Sequence, residues 1–223
     1  MAAAAQGKTN WFAIGISIAV VVVLVVLGAV VVWLNNQATD AGPAPQSDIV
    51  NSETGAISYG NGEKVIDTYV DFMCPACNAF EQTFAEDLQA LAAEDKITLN
   101  VHPIAILDHL SSGTNYSSRA AAAMYCVAEN APDASLDYLN TLFANQPAEG
   151  STGLTDEQLA GLAEEVGAGD AGSCITGEDF EKYPAAQATA HEISGTPSVD
   201  IDGERLDIPM QEIYAEVESF INS

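Results

Sequence analysis

The stretch Asp71-Phe72-Met73-Cys74-Pro75-Ala76-Cys77 sets two cysteines three positions apart, after an apolar run and before a helix-like one. Thiols so spaced can form an exchangeable disulfide, supply half of a metal knuckle, or be unrelated buried thiols. A zinc knuckle needs two further ligands at short spacing, as a second Cys-x-x-Cys or a His pair. The other cysteines, Cys126 and Cys174, are isolated, and His102, His109 and His191 make no paired pattern. No metal ligand and no cofactor is therefore expected. Unrelated buried thiols give no reason for Cys74 to fall at a strand-to-helix junction. With Cys74 at the N-cap, Pro75 takes the first helical position, where a missing N–H costs nothing. The sulfur then faces free backbone N–H groups and the positive end of the helix dipole, both of which favour thiolate over thiol. Cys77, one turn on, faces inward. Cys74 is the expected exposed nucleophile and Cys77 its resolving partner.

The elements that must position this pair alternate in type. Val65, Ile66, Tyr69, Val70 and Phe72 form a short apolar run consistent with a buried strand. Phe80, Phe84, Leu88 and Leu91 follow at four-then-three spacing, which is one face of a helix. Residues 96–106 return to strand character, so a parallel pair with a crossover helix is predicted. Helical stretches over 117–130, 135–146 and 154–167 come next, the last opening on a Thr155–Gln158 capping box. A fourth, over 177–193, must start afresh or kink at Pro184. Together they read as a helical subdomain inserted at about 108–180. Two short strands then flank Asp202-Gly203, a hairpin dipeptide, and a last helix places Ile213, Val217 and Phe220 on one face.

What precedes the domain decides the redox compartment. Residues 11–34 are uncharged and predominantly apolar, with Trp11 and Trp33 near the ends. At ~1.5 Å per residue such a helix exceeds the ~30 Å of a hydrocarbon core. The run is long for a signal peptide, although the Gln37-Ala38-Thr39-Asp40-Ala41 stretch leaves a weak cleavage site open. Lys8 before the span, with no further Lys or Arg until Lys64, puts residues 1–10 in the cytoplasm and everything after Asn35 outside. Residues 35–58 are polar, rich in Ala, Pro and Ser, and read as a flexible linker; the folded domain is expected over 59–223. All 32 acidic residues lie at or beyond Asp40, against 6 basic residues in the whole chain. Such a surface repels nucleic acid and anionic headgroups and suits a soluble extracytoplasmic domain.

At these residues the chain resembles a known family. Asp71-Phe72-Met73-Cys74-Pro75-Ala76-Cys77, followed far downstream by Ser194-Gly195-Thr196-Pro197-Ser198-Val199, is similar to the DsbA-like branch of the thioredoxin-fold oxidoreductases, in the membrane-anchored form of Gram-positive bacteria, particularly actinobacteria. The resemblance spans about 57–223. It implies an α/β thioredoxin fold with a helical insertion, behind one N-terminal transmembrane helix. It implies further that Cys74 and Cys77 are catalytic, with Pro75, Ala76, Thr196 and a cis Pro197 lining the active-site loop and substrate groove. Exported proteins with free thiols would be the substrates, and a quinone-linked membrane oxidase, vitamin K epoxide reductase-like or DsbB-like, would reoxidise the pair. Without the resemblance, Gly195-Thr196-Pro197 reads simply as a turn. Two departures stand out. Ala76 replaces the His that strong oxidants often carry, so a less oxidising couple is expected. Thr68 occupies the position where many relatives place a buried acid. Alternation puts Asp67 and Asp71 on the face opposite Thr68; Asp67 is expected to be solvated, and Asp71, matched in many relatives, to order the loop. Cys126 and Cys174, an even count outside the membrane, suggest a structural disulfide, the alternative being two free buried thiols. His102 is expected to pack in the core or at a strand end, His109 to face solvent and His191 to complement a helix terminus. A reductase or isomerase using the same pair, and a non-catalytic tethered binding module, remain as alternatives.

Overall fold

A computed structural model describes residues 22–30 and 41–223. Residues 22–30 are helical. The remainder of the expected span over 11–34, the segment 1–10 and the start of the linker lie outside the described residues. Among the described residues, no helix is long and apolar enough to cross a membrane. Residues 41–223 form a unit of their own.

That unit is built on a six-stranded sheet in the order β1-β2-β4-β3-β5-β6. The strands are β1 (Val50–Asn51), β2 (Ala56–Tyr59), β3 (Lys64–Val70), β4 (Ile97–Pro103), β5 (Ser198–Ile201) and β6 (Glu204–Arg205). Strands β3 and β4 are parallel, joined by helix α1 (Pro75–Ala93) as the alternation of elements predicted. The other neighbours are antiparallel. Phe80, Phe84, Leu88 and Ala92 are the buried face of α1, against a core that includes Ile66, Val70, Leu99 and Val101. Helix α7 (Met210–Ile221) adds Ile213, Val217 and Phe220 to that core. Between β5 and β6 the chain turns with positive φ at both Asp202 and Gly203, the backbone a two-residue hairpin needs.

Five helices fill the stretch between β4 and β5: α2 (Tyr116–Asn130), α3 (Ser135–Ala144), α4 (Asp156–Glu165), α5 (Gly172–Thr176) and α6 (Tyr183–Ala190). Helix α2 is its centre, buried continuously from Ala120 to Ala128. Its alanines suit that place, since a helix covered all round needs no polar face. The Thr155–Gln158 capping box forms in both directions, and Pro184 sits in the first turn of α6, so the helix restarts there. Cys126 and Cys174 are bonded to each other, tying α2 to α5.

The linker differs from its expected bounds. Strand β1 and most of β2 lie inside the polar stretch to Ser58 and join the sheet, while Tyr183 Oη donates to Ser52 O at 2.7 Å. The ordered domain thus begins well before residue 59. Strands of two and four residues are too short to leave a readable alternation.

Candidate active site

Strand β3 ends at Val70, and the chain turns through Asp71, Phe72 and Met73, all buried. The Cys74 N–H closes the turn on Asp71 O at 3.0 Å. Cys74 is then the N-cap of α1 in extended conformation, without a side-chain cap bond, and Pro75 opens the helix. This is the predicted placement. Pro75 and Ala76 are exposed, while Cys77 points into the core. Cys74 departs from expectation in one respect: it is only 7% exposed. Its cover comes from the far end of the domain, where the Thr196–Pro197 bond is cis and Thr196 O lies 3.3 Å from Cys74 Sγ. Pro197 is buried beside β5, so the sequence-distant Thr-Pro and Cys-x-x-Cys segments do meet.

The two thiols, both free, are electrostatically unlike. Cys74 is pulled down to about 6, chiefly by its hydrogen bond with Cys77, then by the Thr196 side chain and the N–H groups of Cys77 and Ala76, against the opposing effect of burial. Cys77 is pushed well above an ordinary thiol, first by burial and then by Cys74 beside it. A thiolate at Cys74 and a protonated thiol at Cys77 is the combination that attacks and resolves disulfides.

Asp71 holds the loop in place. Its carboxylate accepts from Met73 N at 2.9 Å, Ile106 N at 2.9 Å, Leu107 N at 3.0 Å and Ser117 Oγ at 2.7 Å. One buried carboxyl group therefore joins the active-site turn, the segment after β4 and the inserted helices. Burial pushes Asp71 above the usual carboxylate range, against the pull of these donors. Asp71, one residue past the end of β3, orders the loop as expected. Thr68 is buried on the sheet, with no carboxyl group at that position. Asp67 is not the solvated carboxylate expected: it accepts from Asn100 Nδ2 at 3.0 Å and pairs with His102 Nε2 at 2.8 Å. His102 is 2% exposed and stacks on Tyr69. His191, at the C-cap of α6, bonds Thr54 O at 2.7 Å, and His109 is exposed. The ring nitrogens of His102 and His191 bond Thr54 O, Asp67 and Tyr69 Oη, away from the two sulfurs. Among the described residues, no group of three or more His, Cys, Asp or Glu is placed to hold a metal ion.

Known proteins are similar to this chain in sequence and fold. A thioredoxin family model matches residues 52–223. The serine/threonine-protein kinase PknE of Mycobacterium tuberculosis is 36% identical over 146 residues, which are 60% of this chain and 26% of that protein. The chain thus spans about a quarter of the length of that curated relative. Among solved structures, oxidised DsbA of Mycobacterium tuberculosis superposes with a TM-score of 0.66 at 29% identity, covering 75% of this chain and 93% of that one. The reduced disulfide bond oxidoreductase DsbG of the same organism gives a TM-score of 0.64 at 30% identity, covering 82% and 90%.

Proposed function

We propose that this chain, which belongs to the thioredoxin family and is similar to DsbA-like thiol–disulfide oxidoreductases, is a membrane-anchored, extracytoplasmic enzyme of that kind that introduces disulfides into exported proteins. The oxidising direction is supported by the setting of the two sulfurs: Cys74 at the N-cap of α1 beside Thr196 O, lowered to about 6, and Cys77 buried in the core and raised. A stabilised Cys74 thiolate favours the reduced pair, and a pair that is stable when reduced is a good electron acceptor.

Exchange takes two steps. A substrate thiolate gives its electron pair to Cys74 Sγ of the Cys74–Cys77 disulfide; that bond breaks, and Cys77 Sγ takes the pair and a proton. A second substrate thiolate then attacks the substrate sulfur of the mixed disulfide and expels Cys74 as thiolate. The substrate has lost two electrons and the cysteine pair has gained them. Cys74 suits the second step, in which it is the leaving group, since a thiol of low pKa leaves readily.

The anchor is supported by the uncharged run over 11–34, with Trp11 and Trp33 near its ends and Lys8 before it. A quinone-linked membrane oxidase of the vitamin K epoxide reductase-like or DsbB-like kind would return the pair to the disulfide. Cys77→Ala in the exporting cell tests the reading. Mixed disulfides with exported proteins should accumulate through Cys74. A tethered binding module gives no trapped species and a Cys74 inert to alkylation.

A further inference from the structure

The inserted helices touch the nucleophile's own backbone through one side chain. Gln146 stands two residues beyond the end of α3, and its Nε2 donates to Cys74 O at 2.9 Å. Its other amide atom is held as well: Gln146 Oε1 accepts from Asn78 Nδ2 at 3.1 Å. Asn78 Nδ2 also reaches Phe143 O at 3.2 Å, and Asn78 Oδ1 accepts from Gln82 Nε2 at 2.9 Å. Phe143 in turn packs its ring on Phe72 of the active-site turn, centroids 5.0 Å apart. Cys74 O already takes the first helical bond, from Asn78 N at 3.2 Å. Gln146 is therefore a second donor on the one carbonyl that belongs to the nucleophile, placed there by another part of the fold.

We propose that Gln146 is a positioning residue through which the helical block sets the reactivity of Cys74. The proposal rests on Cys74 being the attacked sulfur. Gln146 forms no bond to sulfur, and the electron pair passes between sulfurs alone. Its effect is electrostatic and geometric. The carbonyl of an N-cap residue is a local negative pole close to that residue's own Sγ. A fixed N–H on this oxygen offsets that pole and puts positive charge density near the sulfur, like the donors at the helix entrance. The reduced pair carries the thiolate and gains from this, whereas the disulfide carries no charge there. The link therefore lowers the Cys74 titration and makes the couple more oxidising. It also fixes the turn that holds Sγ under Thr196 O.

Three variants of the whole chain test the proposal: Gln146→Ala, Gln146→Glu and Asn78→Ala. Two readouts apply, the pH titration of thiolate absorbance and the equilibrium with glutathione. Gln146→Ala should raise the Cys74 midpoint and make the pair a weaker oxidant by about two- to fivefold in the equilibrium constant. Gln146→Glu should go further in both, because its carboxylate keeps an acceptor for Asn78 but sets a negative charge against Cys74 O. Asn78→Ala removes only the buttress and should shift both readouts the same way, by less. A role confined to packing predicts the opposite order, with Glu milder than Ala and the titration unmoved. Should Gln146→Ala misfold, the Glu and Asn78 variants still decide the sign. Wild-type exchange with variants within about 1.5-fold of it would sink this inference alone. A wild type with no reversible couple sinks the redox reading, and this one with it.

Discussion

Replacing Cys77 with Ala removes the largest of the contacts that hold Cys74 down at about 6. A hydrogen bond to a charged group contributes about 1.5–3 kcal/mol. At about 1.4 kcal/mol per pH unit, its loss moves the Cys74 midpoint up by about 1–2 pH. The Thr196 side chain and the backbone N–H groups of residues 76 and 77 survive the substitution, so the midpoint should stay below that of an ordinary thiol. At pH 7 a group titrating near 6 is about nine-tenths thiolate, and the variant should fall to between about a half and a tenth. Thiolate absorbance followed from pH 4 to 10 on the fully reduced protein reads both midpoints. Alkylation rates are the weaker probe, because nucleophilicity rises with pKa and hides part of the change. A variant that still titrates near 6, or a wild type that titrates like a free thiol, would refute the assignment of Cys77 as the group that stabilises Cys74.

Further outcomes concern the supports of the site. Asp71→Asn replaces an oxygen that accepts hydrogen bonds with an NH2 facing one or more of four donors; denaturant unfolding should show a loss of about 2–4 kcal/mol, and a loss under about 1 kcal/mol would deny its role in the loop. Removing both Cys126 and Cys174 should cost about 4 kcal/mol on the chain-entropy model and leave the Cys74 midpoint in place, since that bridge lies between α2 and α5. A moved midpoint would show that the bridge reaches the active site. Stability should also depend on pH in the reduced form. The folded pKa of Cys74 lies below its ordinary value of 9.0, so its stabilisation is complete above about 9 and fades as pH falls through about 6. Of that, about 1.4 kcal/mol is present at pH 7 and nearly none at pH 5. The oxidised form has no such thiolate. The stability of the reduced form relative to the oxidised one should therefore drop by that amount on acidification, and a rise would contradict the sign.

Local pattern was enough for the centre of the molecule. Helix α1, its parallel flanking strands, the Asp202-Gly203 turn and the N-cap position of Cys74 all follow from period, turn chemistry and the place of Pro75. What escaped reading depends on contacts between distant residues. The pairing of Asp67 with His102 follows from the β3–β4 register, which sets Asp67 opposite Asn100 and Tyr69 opposite His102 on one face. The partial cover of Cys74 by Thr196 O and the amide of Gln146 on Cys74 O are side-chain and loop placements across more than 70 positions, with no local signal. Only family likeness pointed to a cis Pro197; the segment itself reads equally well as a turn.

Equilibration of the protein with glutathione buffers of known ratio tests the oxidising direction most directly. The split between a lowered Cys74 and a raised Cys77 predicts a Cys74–Cys77 potential above about −200 mV, so that the pair takes electrons from substrate thiols. A value near about −270 mV would mark a reductant and contradict the proposed function.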